Sequence, residues 1–223
     1  MTIIIDGNNT GTAGGASYGT GTSNNFTAAG TAGQVLTSQG ASAPTWTTPS
    51  SGALVLLATL TPTAATTVES LNVFTSAYDN YLILIQGIQT ASATGTCTLD
   101  MRFAVAGAVD SNTRYRANSG SSAAGVTFLN TYANVQLSIG TLDVTGPGLN
   151  ASIALQNTNA TNSSYKTAFC SVFCNPAGVS NTLDFASGYI GYNGTSALSG
   201  ISFFLRNGAN FAAQGKVRIY GYS

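Results

Sequence analysis

Acidic side chains are the residues of this sequence best suited to acid–base catalysis, because it contains seven Asp and Glu residues but no histidine. Without histidine, neither a Ser-His-Asp nor a Cys-His arrangement can form, and the commonest general base is absent. A glycosidase needs two carboxyl groups roughly 5–10 Å apart in a cleft. Asp100 and Asp110 could approach each other across a hairpin, so a polysaccharide depolymerase is one alternative. The scatter of the acidic residues favours a protein that is not an enzyme.

The three cysteines indicate neither a disulfide framework nor a metal site. Cys170 and Cys174 are four residues apart in a predicted strand, which places them on one face and roughly 13 Å apart, too far for a disulfide. Zinc would need further ligands, and histidine is absent. The glycine-rich segments do not end in the Lys-Ser/Thr pair of a phosphate-binding loop. We therefore expect buried, reduced cysteines and no metal or organic cofactor.

Tyrosines that neighbour arginine or asparagine are the remaining candidates for ligand binding. An exposed tyrosine ring can stack on the C–H face of a sugar while neighbouring polar groups bind the sugar hydroxyls. The alternative is that these tyrosines lie at a subunit interface or half-buried in the core. The candidate glycan-contact residues are Arg114, Tyr115, Arg116, Tyr189, Tyr192 and Asn193.

Charged residues are unusually few, at 6% of the chain with a formal net charge of zero. Soluble proteins usually carry about 25%, and a free monomer with so little charge would be poorly soluble. We therefore expect other subunits to cover much of the surface, as in a homotrimer. The alternative is a hydrated surface of Ser, Thr, Asn and Gly. Nucleic acid is excluded as a partner because phosphate binding needs clustered Lys and Arg.

The sequence also argues against export and membrane insertion. Residues 1–6 lack the basic start and the long apolar run of a signal peptide. The longest apolar run, residues 53–58, is too short to span a bilayer. We therefore expect the protein to assemble in the cytoplasm in which it is made.

Residues 53–223 read as a succession of strands. Apolar and polar residues alternate in several segments, as in strands with one buried face, and a sustained helical period with caps is missing. Residues 81–85 and 168–174 are apolar on both faces, which places them between two layers or between a sheet and a neighbouring subunit. Asn193-Gly194 is a hairpin signal. We predict an all-β, β-sandwich or jelly-roll-like domain over residues 53–223.

Residues 1–52 differ from the rest, because they are rich in Gly, Thr, Ala and Ser and carry a single charge, on Asp6. So little apolar area cannot offset the entropy cost of ordering a separate core. We predict an extended arm or linker over residues 1–52 that is flexible alone and becomes ordered against a neighbouring chain.

Several patches of the chain resemble bacteriophage tail-fibre and virion structural proteins. Residues 33–40, GQVLTSQG, followed by residues 43–46, APTW, are similar to a segment that joins an N-terminal attachment arm to a C-terminal β-domain in such proteins. Residues 78–84 and 99–103 resemble the start of that β-domain, and residues 215–221 resemble its last strand.

The resemblance implies a trimeric component of a phage particle, located in the virion, of the tail-fibre or spike type. It implies an arm that binds other virion proteins and a β-domain that adheres to a host-surface glycan. The chain is short for a fibre, which leaves a capsid decoration or cement protein as an alternative; a bacterial adhesin is another. The predicted attachment-arm residues are Ile3, Ile4, Ile5, Val35, Leu36 and Trp46.

Overall fold

The computed structural model of the chain describes most of its C-terminal three quarters and short pieces before them. The described residues are 17–18, 25–26, 30–39, 42–48, 54–91, 98–121, 125–137, 142, 148–162, 165–174 and 184–222. The chain forms two compact units, Met1–Ser51 and Gly52–Ser223. The described residues form strands and turns without a helix, which confirms the predicted all-β class. They accordingly include no helix that could cross a membrane.

The first unit contains two short antiparallel pairs of strands. Its strands β1 to β4 are Ser17–Tyr18, Asn25–Phe26, Val35–Gln39 and Ser42–Thr47, with β1 pairing β2 and β3 pairing β4. Leu36 lies opposite Trp46, and Val35 opposite Thr47. The chain around the predicted attachment residues Val35, Leu36 and Trp46 therefore folds back on itself and is not one extended segment. The predicted anchor Ile3, Ile4 and Ile5 lies outside the described residues.

The second unit contains the larger part of the fold. Its described strands, β5 to β17 in chain order, are Val55–Leu60, Thr67–Ser70, Asn80–Ile88, Leu99–Val105, Ala108–Val109, Tyr115–Ser121, Gly125–Tyr132, Val135–Gln136, Leu149–Gln156, Lys166–Cys174, Asp184–Tyr192, Gly200–Leu205 and Lys216–Tyr222. They form an eight-stranded sheet in the order β11-β10-β15-β14-β13-β7-β17-β5 and a smaller sheet in the order β12-β8-β16-β6, with β9 paired to β8. Neighbouring strands are antiparallel.

The two sheets share one hydrophobic core. Alternation of side chains along each strand sends every second residue inward, as in β13, where the burial pattern alternates along Leu149–Gln156. Phe103 of β8 joins the sheets, because its ring centroid lies 5.8 Å from that of Tyr115 and 5.6 Å from that of Tyr192 in the larger sheet. Phe103 is fully buried. The period-two pattern of the sequence thus produces two inward faces that pack on each other.

The turn at Asn193-Gly194 is not a hairpin, so this prediction is wrong. After β15 the chain leaves the eight-stranded sheet and enters β16 of the smaller sheet. Buried Leu198 fixes the crossing, and its backbone N–H donates to the carbonyl of Thr158 at 2.9 Å. A Cβ at Gly200 would collide with the backbone of Ser70, so glycine is required where β16 begins. Tertiary anchors therefore override a local hairpin signal.

Candidate functional site

The outer face of the eight-stranded sheet carries four exposed aromatic side chains on β14 and β15. Phe169, Phe173, Phe185 and Tyr189, called the aromatic face below, are 41%, 50%, 39% and 68% exposed. The register places Phe169 opposite Tyr189 and Phe173 opposite Phe185. Their ring centroids are 5.2 Å and 4.9 Å apart, so each pair packs together while one side of it remains open to solvent.

The surface beside the aromatic face is also uncharged. Strand β13 pairs with β14 and presents Ser152 and Ala154 outward, and β7 pairs with β13 and presents Leu82 and Leu84 outward. Among the described outward side chains of β7, β13, β14 and β15, none is charged. A depression of about 220 Å³ lies beside Phe173 on this surface. This surface explains why residues 81–85 and 168–174 are apolar on both sides.

A second feature is a pocket of about 250 Å³ between one wall, formed by the β8–β9 hairpin and the chain that follows it, and the chain that leaves β15. It is called the Asp110 pocket below. Its polar lining consists of Asp110, Asn112, Arg114, Tyr192, Thr195 and Ser196. Its apolar lining consists of Val105, Ala108 and Val109.

Asp110 is the most densely bonded group of the pocket. Its Oδ1 accepts from the backbone N–H of Asn112 at 2.9 Å and from the Asn112 side-chain amide at 2.5 Å, and its Oδ2 accepts from the Tyr192 hydroxyl. Nε of Arg114 lies 3.3 Å from Oδ2. Burial raises the pKa of Asp110, but the hydrogen bonds from Tyr192 and Asn112 and the charge of Arg114 outweigh burial and hold the pKa below its usual value. Asp110 is therefore a carboxylate that organises the pocket.

Lys166 lies behind the pocket wall and is fully buried. Its ammonium group donates to the carbonyl of Gly194 and lies 6.0 Å from the ring centroid of Tyr192. Burial lowers the pKa of Lys166, and the nearby positive charge of Arg114 lowers it further. The Asp110 pocket thus has one carboxylate and two basic groups close to it.

Two of the predicted glycan-contact residues are core residues. Tyr115 and Tyr192 are each 1% exposed, and their ring centroids are 5.1 Å apart. The Tyr115 hydroxyl accepts from the backbone N–H of Phe103 at 2.7 Å. Burial raises the pKa of both phenols. Their burial fits the alternative of core tyrosines, because an inward strand position and a hydrogen-bonded hydroxyl make them part of the packing between sheets.

The other four predicted residues lie in different places. Arg114 borders the Asp110 pocket, and its backbone carbonyl accepts from the N–H of Asn193 at 2.9 Å. Arg116 lies over the ring of Tyr165, with 5.8 Å between the guanidinium carbon and the ring centroid. Tyr189 belongs to the aromatic face. The predicted set therefore does not form one site, and its glycan contacts stay a prediction.

The acidic pair Asp100 and Asp110 is not brought together by the β8–β9 hairpin. The register pairs Ala104 with Val109, so Asp110 lies beside Phe103, three residues or roughly 10 Å along β8 from Asp100. An odd number of residues separates Phe103 from Asp100, so the two carboxylates point to opposite faces. Asp100 is buried and bonded to Arg206, whose Nε and Nη2 are both 3.0 Å from its Oδ2. Burial raises the pKa of Asp100 although Arg206 opposes this effect. Each carboxylate thus binds its own arginine.

The cysteines of β14 are buried, as expected. Cys170 and Cys174 form no disulfide, and burial raises the pKa of the Cys170 thiol to about 11. Cys97 lies outside the described residues. Within the described part of the chain, no three His, Cys, Asp or Glu side chains form a group that could hold a metal ion.

Replacing Asp110 by asparagine should lower the free energy of unfolding by about 2 kcal/mol at pH 7, because charge-assisted hydrogen bonds are lost. A carboxyl group with a lowered pKa stabilises the fold above its ordinary value of 3.8, and this stabilisation is lost as the pH falls through the lowered value. Urea unfolding of Asp110→Asn and wild type should therefore converge in acid. Asp79→Asn, at an exposed carboxylate, is the control and should change little. A loss that stays constant with pH would contradict the assignment.

Comparison with known proteins yields no relative: no family model, curated protein or solved structure matches this chain.

Proposed function

We propose that this chain is a non-enzymatic structural subunit of a bacteriophage particle, of the tail-fibre or spike type. Copies of the chain associate, as a trimer, through the aromatic face, and the β-domain adheres to a host-surface glycan. The observation that carries the proposal is the aromatic face itself, an uncharged apolar surface on an otherwise complete domain. Large exposed apolar patches of this kind mark protein interfaces.

The apolar side chains and neutrality of the aromatic face suit association with a second copy. Burying a large apolar side chain stabilises by about 1.5–3 kcal/mol, so four such side chains contribute roughly 6–12 kcal/mol before the costs of association. The four uncharged strands, about 4.8 Å apart and seven residues long, cover roughly 450 Å², so an interface of the usual ~800 Å² per partner would extend beyond them. Because the face is neutral, identical copies do not repel each other across it. The depression beside Phe173 offers space for a side chain of the neighbouring copy.

The order of the strands supports the jelly-roll form of the proposed subunit. In the larger sheet β5-β17-β7-β13 are neighbours, and in the smaller sheet β12-β8-β16-β6 are neighbours. Successive strands of this set alternate between the sheets except at β8 and β12, which pair within the smaller sheet, and this is the arrangement of a jelly roll. The hairpins β10–β11 and β14–β15 are additions to it. Jelly rolls occur in viral capsid and lectin domains. The added strands β14 and β15 bear the aromatic face, so the additions to the basic pattern supply the proposed interface.

The particle itself tests the proposal. Phage particles assembled without this chain should lack tail appendages in cryo-electron micrographs and should keep an intact shell. Supplying the wild-type chain should restore the appendages at low copy number. Loss of protrusions from the shell, at a copy number comparable to that of the capsid subunits, would indicate a decoration protein instead. Particles unchanged in structure and composition would overturn the proposal.

A further inference from the structure

At the mouth of the Asp110 pocket, only part of the Arg114 guanidinium group has a bonding partner. Its Nε faces Asp110, whereas its two terminal nitrogens have no hydrogen-bond partner among the described residues. The side chain is 40% exposed, so these nitrogens are accessible to a ligand. A guanidinium fork matches the geometry of a carboxylate and binds it through two parallel hydrogen bonds. Arg114 is thus suited to bind a carboxylate in the pocket.

The charges around the pocket also favour an anion. The ionisable groups near it are Asp110, Arg114 and Lys166, and the rest of its polar lining is formed by neutral groups. Asp110 is already saturated by Tyr192, Asn112 and Arg114, so it does not compete for a further donor. The terminal nitrogens of Arg114 are therefore the donors that the pocket offers to an anion.

The rest of the lining suits a small hydroxylated ring. Thr195 and Ser196 are exposed and present hydroxyl groups that can donate to and accept from sugar hydroxyls. Val105 and Val109 supply an apolar wall for the C–H face of a sugar. The volume of about 250 Å³ matches one sugar residue better than a long oligosaccharide.

From these features we infer that the Asp110 pocket binds an acidic sugar residue, with its carboxylate on Arg114 and its hydroxyls on Thr195 and Ser196. This inference rests on the proposed adhesion to a host glycan and names the sugar class and the pocket. The site also differs from the six residues expected from the sequence, since only Arg114 and Tyr192 of those six line the pocket.

The test is a titration of the purified wild-type chain, followed by NMR chemical shifts, with three probes. Glucuronate should bind, glucose should bind at least tenfold more weakly because it lacks the carboxylate, and acetate should bind at least tenfold more weakly because it lacks the ring. Replacing Arg114 by glutamine should weaken glucuronate binding by roughly 10- to 100-fold, as expected for a lost charge-assisted contact. Arg116→Gln is the matched control and should retain wild-type affinity, because Arg116 lies over Tyr165.

Arg114→Lys separates a loss of binding from a loss of folding, because it keeps a positive charge opposite Asp110 but lacks the planar guanidinium fork. It should also bind glucuronate at least fivefold more weakly than wild type, at an unchanged melting temperature. Equal affinities for glucuronate and glucose, equal affinities for glucuronate and acetate, or full binding by Arg114→Lys would each overturn the inference. Such results would say nothing about the assembly or the location in the particle. The inferred sugar site can therefore fail while the proposed structural role stands.

Discussion

Phe169→Asp should dissociate the assembled protein into single chains. Phe169 lies between Ala154 and Tyr189 at the middle of the proposed interface. In the assembly the new carboxylate would be buried without a partner, which costs about 3–5 kcal/mol. That cost weakens association by roughly 100-fold or more. Sedimentation velocity at micromolar concentration should therefore report one chain for the variant and a multiple for the wild type.

The control for this experiment is Ser76→Asp, which adds the same charge at an exposed turn outside the strands that bear the aromatic face. It should retain the wild-type mass. Because Phe169 is 41% exposed in the single chain, the variant should keep its β-sheet circular dichroism. A folded Phe169→Asp protein with the wild-type mass would rule out the aromatic face as the interface.

Phe103→Ala should cause the largest loss of stability among single core substitutions, about 3–5 kcal/mol in urea unfolding. Its buried ring contacts Tyr115 and Tyr192, so its removal opens a cavity between the two sheets. The matched control is Phe204→Ala in β16, because Phe204 is half-buried and stacks under Arg102, with 4.6 Å from the guanidinium carbon to the ring centroid. That substitution should cost about 1 kcal/mol. Similar losses for both variants would mean that Phe103 does not join the sheets.

The strands could be read from the sequence, because their inward residues recur with period two. The same rule also separates Tyr189 from Tyr192, which share a residue type and polar neighbours. Ile190 and Tyr192 are an even number of residues apart and both face the core, whereas Tyr189 faces outward. Residue type alone suggested sugar binding for Tyr189 and Tyr192, but strand parity assigns them to opposite faces.

The pairing of strands and the Asp110 pocket could not be read in this way. Asp110 and Tyr192 are 82 residues apart and meet only because β10 pairs with β15. Thr195 and Ser196 reach the pocket because the chain crosses to the smaller sheet after Gly194 instead of turning back. The Asn193-Gly194 signal is compatible both with a hairpin and with a crossing to the smaller sheet. Long-range packing decides which of the two the chain forms.

Static light scattering of the purified wild-type chain, over a wide range of concentration, measures the self-association on which this account depends. The expected molar mass is three times that of one polypeptide and stays constant on dilution to the micromolar range. The mass of one polypeptide at every concentration, from protein that remains folded and soluble, would contradict the claim that copies cover the aromatic face.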